Sequence, residues 1–158
     1  MTEEFTHVAD DAVQMVDIGS KPDSYRRARA RGQIRLSAPT IDAIEANSVG
    51  KGNVLATARI GAIQAVKHTW ETIPMCHQIP ITNVDTNFDC EEPFVTLTVT
   101  VETTGKTGCE MEALMGVTTG LNVIWDMVKA AEKDDSGEYP TTAIEDVHVV
   151  HKEKQTPE

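Results

Sequence analysis

Apolar and polar residues alternate strictly from Arg26 onward, and this period-two pattern predicts a β-strand. One face of the strand is apolar and the other carries four arginines and a glutamine: Ala28, Ala30, Gly32, Ile34 and Leu36 against Arg27, Arg29, Arg31, Gln33 and Arg35. By the same parity Arg26 lies on the apolar face, at the start of the strand. A buried guanidinium requires an anionic partner, so Arg26 is a candidate anion ligand.

Two helices are predicted next. The first begins at Ser37 with a proline in its first turn and ends before Gly50. The second is capped by Asn53, runs to about Lys67, and is rich in small residues that permit close packing. Lys51 lies between two glycines at the start of this second helix, where free N–H groups and the helix dipole favour an anion. Taken alone, the motif G-K-G is a weak signal.

The rest of the chain predicts a hairpin, a long helix and a last strand. Residues 81–88 and 94–104 alternate and are joined by a short connection, so they should pair antiparallel. A helix is predicted from Gly108 to about Lys133, with an expected core stripe of Met111, Leu114 or Met115, Thr118, Leu121, Trp125 and Val128. Residues 143–152 alternate again as a final strand, with His148, Val150 and Lys152 on one side.

This order of elements reduces to β-α-β-β-α-β, which predicts an α+β fold of the ferredoxin-like, split βαβ type. Such a fold has one antiparallel sheet with its helices on one face. The other face of the sheet is then uncovered, and we expect oligomerisation to cover it.

A five-residue insert, Met75 to Ile79, lies between Pro74 and Pro80 and contains a Cys-His pair. Both prolines stiffen the backbone, so Met75, Cys76 and His77 should lie on a rigid loop that presents side chains for chemistry. One alternative is a proline-bounded turn in which the two side chains only pack. Another is a metal site formed with Cys109, which is disfavoured because a closed site needs about four ligands.

A polar stripe on the long helix brings Asp126 and Lys129 together at a spacing of three residues. The alternative is a surface ion pair of little consequence. Because Trp125, Met127 and Val128 flank the pair, we expect it at the edge of buried surface, where both pKa values shift enough for acid–base work. Glu110 and Glu112 lie in the first turn, where carboxylates are favoured by the helix dipole.

The composition is that of one globular domain of 158 residues, with 40% hydrophobic and 25% charged residues. We expect a flexible lead-in over residues 1–15, a single catalytic domain over 16–154 and a tail over 155–158. The chain has no apolar run near the ~20 residues of a membrane helix and an acidic N-terminus unlike a signal peptide, so a cytoplasmic protein is expected. Its three cysteines form no C-x-x-C, which fits neither a disulfide framework nor a zinc ribbon.

The formal net charge of −11 argues against nucleic acid or an anionic membrane as a partner. Yet five of the fourteen lysines and arginines fall between Arg26 and Arg35, which indicates a small anionic ligand. A solvated strand face is an equally good explanation of that cluster. The acidic balance also hints at a salt-adapted source.

These features combine into a resemblance that covers nearly the whole chain. The joint order of five motifs is highly specific: M-V-D-I-x-x-K-x-x-S-Y-R-x-A-x-A-x-G from Met15, G-K-G-x-V from Gly50, I-P-M-C-H-Q-I-P-I-T from Ile73, T-G-C-E-M-E-A-L-M-G-V from Thr107 and L-N-V-I-W-D-M-V-K-A from Leu121. With these motifs the sequence resembles the molybdenum cofactor biosynthesis protein C family, the cyclic pyranopterin monophosphate synthase accessory proteins.

The resemblance implies a lyase that converts (8S)-3',8-cyclo-7,8-dihydroguanosine 5'-triphosphate to cyclic pyranopterin monophosphate and pyrophosphate. It implies Asp126, Lys129 and Lys51 as catalytic residues. Lys21 and Arg26 would hold phosphate, Glu110 would face the base, and Lys152 keeps the position of an active-site lysine. The implied substrate-binding segments also include Met75, Cys76, His77, Met111 and Glu112. The sequence after Lys152 departs from the glycine-rich tail of bacterial-type members, so the resemblance does not extend to phosphate contacts from such a tail.

Further expectations from the resemblance concern partners. They are a homohexamer built as a trimer of dimers, functional coupling to a radical S-adenosylmethionine GTP cyclase, and no cofactor, with a divalent cation on the triphosphate left open. The competing class is a ferredoxin-like module that binds a nucleotide without changing it. The Asp126–Lys129 pair, which binding alone does not require, favours the enzyme.

Overall fold

The computed structural model describes residues 8–9 and 12–156 of the chain. Residues 1–7 and 10–11 of the expected lead-in and residues 157–158 of the expected tail lie outside this range, so that division of the chain stays a prediction. The elements are β1 (Val8–Ala9), β2 (Ala12–Val13), β3 (Ser24–Arg35), α1 (Ala38–Glu45), α2 (Val54–Lys67), α3 (Thr69–Thr72), β4 (Ile81–Glu91), β5 (Phe94–Gly105), α4 (Glu110–Glu132) and β6 (Ala143–Gln155).

Four of the strands form one antiparallel sheet in the order β4-β5-β3-β6. Helices α2 and α4 pack on each other and on one face of this sheet. The α+β, ferredoxin-like arrangement is therefore confirmed. A separate two-stranded ladder pairs β1 with β2, so that Val8 is opposite Val13. No helix in the described part of the chain has the length and apolar character needed to cross a membrane.

Strand β3 lies at the centre of the sheet and has the two faces that its alternation predicts. Ala28, Ala30 and Ile34 are at most 2% exposed and face the helices. They meet the buried residues of the neighbouring strand β5, which are Val95, Leu97, Val99 and Val101. The arginines of β3 other than Arg26 lie on the open face, where Arg27 is 3.8 Å from Glu102 and Arg35 is 3.0 Å from Glu145.

The expected core stripe of α4 is largely wrong. Leu121 and Val128 are buried, but the methionines, Leu114, Thr118 and Trp125 lie at the margins. The helix instead buries a stripe of mostly small residues: Ala113, Gly116, Val117, Gly120, Leu121 and Ile124. A Cβ atom at Gly116 would lie 2.8 Å from Val66 Cγ2 and 3.0 Å from Val99 Cγ1, so α4 approaches α2 and the sheet too closely for larger side chains.

The prediction that His148, Val150 and Lys152 lie on one side of β6 is also wrong, because the strand contains bulges. Arg29 pairs with His151 but Ala30 pairs with Val149, which leaves Val150 as an extra residue. A bulge reverses the parity of everything beyond it. His148, opposite Arg31, is on the open face, whereas Lys152, opposite Ala28, is on the face toward the helices. The strand also continues to Gln155, three residues further than expected.

The helix starts differ from one another. Asn53 caps α2 as predicted, since its side chain accepts a hydrogen bond of 2.9 Å from Ala56 N. Ser37 precedes α1 but makes no such bond to its own helix. Helix α1 is also shorter than expected and ends at Glu45.

Candidate active site

A cavity of about 330 Å³ lies beside the first turn of α4, and we call it the amino-terminal pocket. The proline-bounded loop forms one wall, the start of α4 a second and the segment before β3 a third. The pocket brings together seven residues that the sequence singled out: Lys21, Met75, Cys76, His77, Glu110, Met111 and Glu112. Its other lining residues are Val16, Ile18, Ile79, Thr107 and Gly108, which the sequence analysis did not name as site residues.

The two carboxylates of the pocket have unlike surroundings. Glu112 is only 4% exposed, and its burial, together with the charge of Glu110, raises its pKa to about 7. Glu110 is half-buried, and its Oε2 atom has no hydrogen-bond partner among the described residues. Its Oε1 lies 3.5 Å from Lys152 Nζ. Near neutral pH, Glu112 can therefore give or take a proton, while Glu110 offers an unused acceptor.

The cysteines near this pocket are protonated thiols. Burial first, and then the charges of Glu112 and Glu110, raise the pKa of Cys76. The same causes raise the pKa of Cys109 to about 11, and its Sγ donates to Val101 O at 3.4 Å. Since a thiolate is the reactive form, neither is prepared to act as a nucleophile. Cys76 is better suited to contacting a ligand.

Basic residues line a smaller cavity of about 170 Å³ on the other side of Glu110. Arg26 lies there as its parity predicts, half-buried, and its Nε has no hydrogen-bond partner within the described residues. The cavity also contains Lys152, which the bulge in β6 turns toward it, and Lys154, which pairs with Arg26 across the strands. Lys154 was missed because the predicted strand stopped at Lys152. Continued alternation would have found it.

Lys51, Asp126 and Lys129 form a second cluster near the other end of α4, which we call the carboxyl-terminal cluster. Lys129 Nζ is 2.8 Å from Asp126 Oδ1, and Lys51 Nζ is 3.6 Å from Asp126 Oδ2. Lys51 Nζ also donates to the backbone oxygen of Asp126 at 2.6 Å. The predicted neighbours are therefore in contact, and Lys51 joins them from the loop before α2.

The electrostatics of this cluster differ from our expectation. The side chain of Asp126 is 61% exposed and that of Lys129 is 43% exposed, so within one chain the pair is not dry. The hydrogen bond and charge of Lys129, and then the charge of Lys51, lower the pKa of Asp126. Asp126 in turn raises the pKa of Lys129. Pairing thus fixes both groups in their charged forms, and burial does not move them toward neutrality.

An open cavity of about 390 Å³ adjoins the carboxyl-terminal cluster. Asn122, Trp125 and Tyr139 line it together with the charged pair. The rings of Trp125 and Tyr139 pack edge to face with their centroids 5.2 Å apart. The sequence analysis missed Tyr139. This residue follows the turn after α4, and nothing else in its local sequence marks it as a site residue.

The two groups of site residues lie far apart in a single chain. Glu112 and Asp126 are both in α4 and separated by fourteen residues, which corresponds to about 21 Å along the helix axis. No group of three or more His, Cys, Asp or Glu side chains in the described ranges is placed to hold a metal ion together. One chain therefore presents two separate groups of candidate site residues, the amino-terminal pocket and the carboxyl-terminal cluster, which we call half-sites.

Comparison with known proteins agrees with the motifs that define these half-sites. A sequence model of the MoaC family matches residues 15–155. The chain belongs to the MoaC family. Relatives include proteins named probable cyclic pyranopterin monophosphate synthase from Natronomonas pharaonis and Halobacterium salinarum. The first is 71% identical over 96% of both chains. The second is 71% identical over 97% of this chain and 94% of the relative.

More distant relatives of this MoaC family member are also of similar length. One from Methanothermobacter thermautotrophicus is 55% identical over 96% of this chain and 95% of its own. It is named a probable cyclic pyranopterin monophosphate synthase accessory protein. The matched range includes both half-sites, from Lys21 in the amino-terminal pocket to Lys152.

Proposed function

We propose that this MoaC family protein is a cyclic pyranopterin monophosphate synthase. It converts (8S)-3',8-cyclo-7,8-dihydroguanosine 5'-triphosphate to cyclic pyranopterin monophosphate with release of pyrophosphate, in molybdenum cofactor biosynthesis. The names of relatives that are 71% identical support this proposal. The observation that carries it is the segregation of the motif residues into two chemically distinct half-sites at opposite ends of α4.

The reaction needs proton transfer and phosphate positioning. To close a cyclic monophosphate, a hydroxyl of the substrate displaces pyrophosphate from the α-phosphorus and gives its proton to a base. No water is gained, so the enzyme is a lyase. No electrons enter, so the proposal requires no redox cofactor. A divalent cation that accompanies the triphosphate is compatible with it.

The carboxyl-terminal cluster supplies the acid–base unit of the proposal. Asp126 is ionised and held between Lys51 and Lys129 at 3.6 and 2.8 Å, so it can accept a proton while the lysines donate to developing negative charge. The aromatic side chains of Trp125 and Tyr139 beside it offer a wall for a planar ring.

The amino-terminal pocket and the adjoining basic cavity supply substrate binding. Lys21, Arg26 and Lys152 are placed to neutralise phosphate. A carboxyl group with a pKa of about 7, such as that of Glu112, can donate a hydrogen bond to a polar ring atom when it is protonated. Met75, Cys76, His77 and Met111 complete the wall against which the substrate would lie.

We further propose that the two half-sites meet between subunits of a homohexamer, a trimer of dimers. The open sheet face supports this assembly, because Arg29 and Arg31 extend across it and Arg31 is exposed. Light scattering at micromolar concentration, in physiological and in high salt, should give a mass well above that of the 17.3 kDa chain. A monomer mass in both salts would contradict the assembly.

The experiment that tests the proposed function is pyrophosphate release from the cyclic dihydro-GTP intermediate. The intermediate is expected from a radical S-adenosylmethionine GTP cyclase, which can be coupled to the assay. Purified protein should release pyrophosphate and form the cyclic monophosphate in equal amounts. Binding of the intermediate without pyrophosphate release would instead favour a nucleotide-binding module.

A further inference from the structure

Glu132 is a buried carboxylate with no part in the proposed chemistry. It is 7% exposed and lies in the last turn of α4. Both features are unfavourable, because a buried charge must be compensated and a helix C-terminus repels negative charge. A residue that breaks local rules in this way is a candidate for a specific role.

The compensation comes from hydrogen bonds donated by three residues outside α4. Thr40 Oγ1 donates to Glu132 Oε1 at 2.5 Å, and Thr142 Oγ1 donates to Oε2 at 2.7 Å. Ser37 donates to Oε1 through both its Oγ, at 2.8 Å, and its backbone N, at 3.1 Å. Burial alone would raise the pKa of Glu132, but these bonds outweigh it and hold the pKa below its ordinary value. We call this set of bonds the Glu132 clamp.

The clamp joins two different segments to the end of α4. Ser37 and Thr40 belong to the start of α1, and Thr142 immediately precedes β6. It also explains why Ser37 does not cap its own helix, since its hydroxyl is used by Glu132. The carboxylate of one helix therefore anchors the first turn of another.

Helix α1 is followed by the loop that contains Lys51. The turn that follows it is closed by bonds from Ser48 N to Ala43 O and from Gly52 N to Val49 O, both 3.0 Å. Between α1 and α4 lies a cavity of about 500 Å³, lined by Pro39, Ala43, Lys51, Met127 and Ala131 among others. Because side chains do not fill this space, the clamp adds a polar tie between α1 and α4 to the anchoring of α1 by its core residues Ile41 and Ile44.

We propose that Glu132 is a positioning residue that acts through Lys51. Its carboxylate anchors α1 so that the loop after the helix holds Lys51 Nζ against Asp126. The expected effect of Glu132 on turnover rests on the function proposed above for Lys51. Its expected effect on the position of Lys51 does not depend on that function.

A matched pair of substitutions tests the placement. Thr40→Val and Thr142→Val each remove one hydroxyl donor from the same carboxylate, but only Thr40 belongs to α1. Trace acetylation with acetic anhydride, read by mass spectrometry as the ratio of Lys51 to exposed Lys67, reports how firmly Lys51 is held. Thr40→Val should raise this ratio about tenfold, the factor expected from losing one hydrogen bond to a charged group. Thr142→Val should leave it unchanged, and Thr40→Ser should restore it.

Equal ratios in the two valine variants would overturn the proposal, whether both rise or neither does. If Thr40→Val does not fold, Ser37→Ala replaces it in the same comparison, since it also removes a hydroxyl on the α1 side. Turnover of the cyclic dihydro-GTP intermediate separates this proposal from the proposed function. A raised Lys51 ratio together with lower kcat and unchanged KM supports both. A raised ratio with unchanged kcat supports the clamp and contradicts the catalytic role of Lys51.

Discussion

The two ends of α4 carry carboxylates whose protonation is controlled in opposite ways. Near the start of the helix, Glu112 is almost fully buried and its pKa rises to about 7. Near the end, Asp126 is exposed and its pKa falls, because Lys129 and then Lys51 stabilise the charged form. Burial thus produces a group that titrates near neutrality, and pairing produces a group of fixed charge.

This difference indicates that the two half-sites have different roles. A carboxyl group that is neutral part of the time can share a binding pocket with an anionic ligand without repelling it. A fixed Lys-Asp-Lys arrangement is suited to holding charge at a defined place, where it can stabilise charge that develops on a substrate. The two ends of α4 should therefore respond differently to substitution.

Loss of the Asp126–Lys129 pair should have the largest effect. We expect Asp126→Ala, Lys129→Ala and the double variant to lose similar activity, about 10²- to 10⁴-fold each, because removing either group disables both. The melting temperature should change little, since both side chains are exposed. Turnover at saturating substrate and thermal unfolding are the measurements.

Glu71→Ala is the matched control for this pair. It removes another exposed side-chain contact at the same three-residue spacing, that of His68 Nδ1 and Glu71 Oε2 at 3.3 Å, and should leave turnover unchanged. Losses that add in free energy, or a double variant far worse than either single one, would show that Asp126 and Lys129 are separate binding residues.

Lys51→Ala and His77→Ala should reduce turnover more than they reduce stability. Lys51 reaches the carboxyl-terminal cluster from a glycine-bounded loop, and His77 lines the amino-terminal pocket without belonging to the core. Little packing is lost in either case. Lys67→Ala is the control for Lys51→Ala at another exposed lysine. Gln78→Ala is the control for His77→Ala at an exposed residue of the same loop. A fall in melting temperature typical of a buried Leu→Ala change, with turnover retained, would contradict the site assignment.

The sequence predicts most of this fold because its strands are periodic and its caps are local. Alternation in β3 correctly places Arg26 on the face toward the helices, and Asn53 correctly marks the start of α2. The α4 stripe fails for a tertiary reason: close approach of α2 and β5 selects glycine and alanine, which carry little signal in a hydrophobic pattern. The predicted sides of β6 were wrong for a similar reason. The bulge at Val150 arises from pairing between strands, which the pattern of a single strand does not show.

Site residues were recognisable from motifs, but their grouping was not. No local pattern shows that Lys51 meets Asp126, which is seventy-five residues away, or that Glu112 is buried while Glu110 is not. The expectation that the Asp126–Lys129 pair is partly dry was wrong for a single chain, because Trp125 lines the same open cavity without covering the two charged side chains. Burial depends on the neighbouring layer, and the sequence of one helix does not specify it.

Glu112→Gln should have the smallest effect, seen as a change in how stability depends on pH. The folded pKa of about 7 lies above the ordinary value of 4.5, so the protonated form favours folding. This contribution is complete below pH 4.5 and is lost as the pH rises through 7, a change of about 3 kcal/mol. Relative to Glu112→Gln, the native protein should therefore lose stability between pH 5 and 8. Glu91→Gln, at an exposed site, should show the same dependence of stability on pH as the native protein. If the native protein and Glu112→Gln instead depend on pH in the same way, the burial argument is contradicted.

In our proposal, two half-sites about 21 Å apart on one helix are completed by two subunits. Complementation tests it most directly: Lys129→Ala and His77→Ala chains are co-expressed with different tags, and mixed oligomers are purified over both tags. If each site takes one end from each of two chains, about a quarter of the sites in a random mixture are intact and activity returns to that fraction of the native value. Mixed oligomers of Lys129→Ala and Asp126→Ala, both altered at the same end, should recover nothing. Activity in the first mixture no higher than that of the separate variants would contradict the claim.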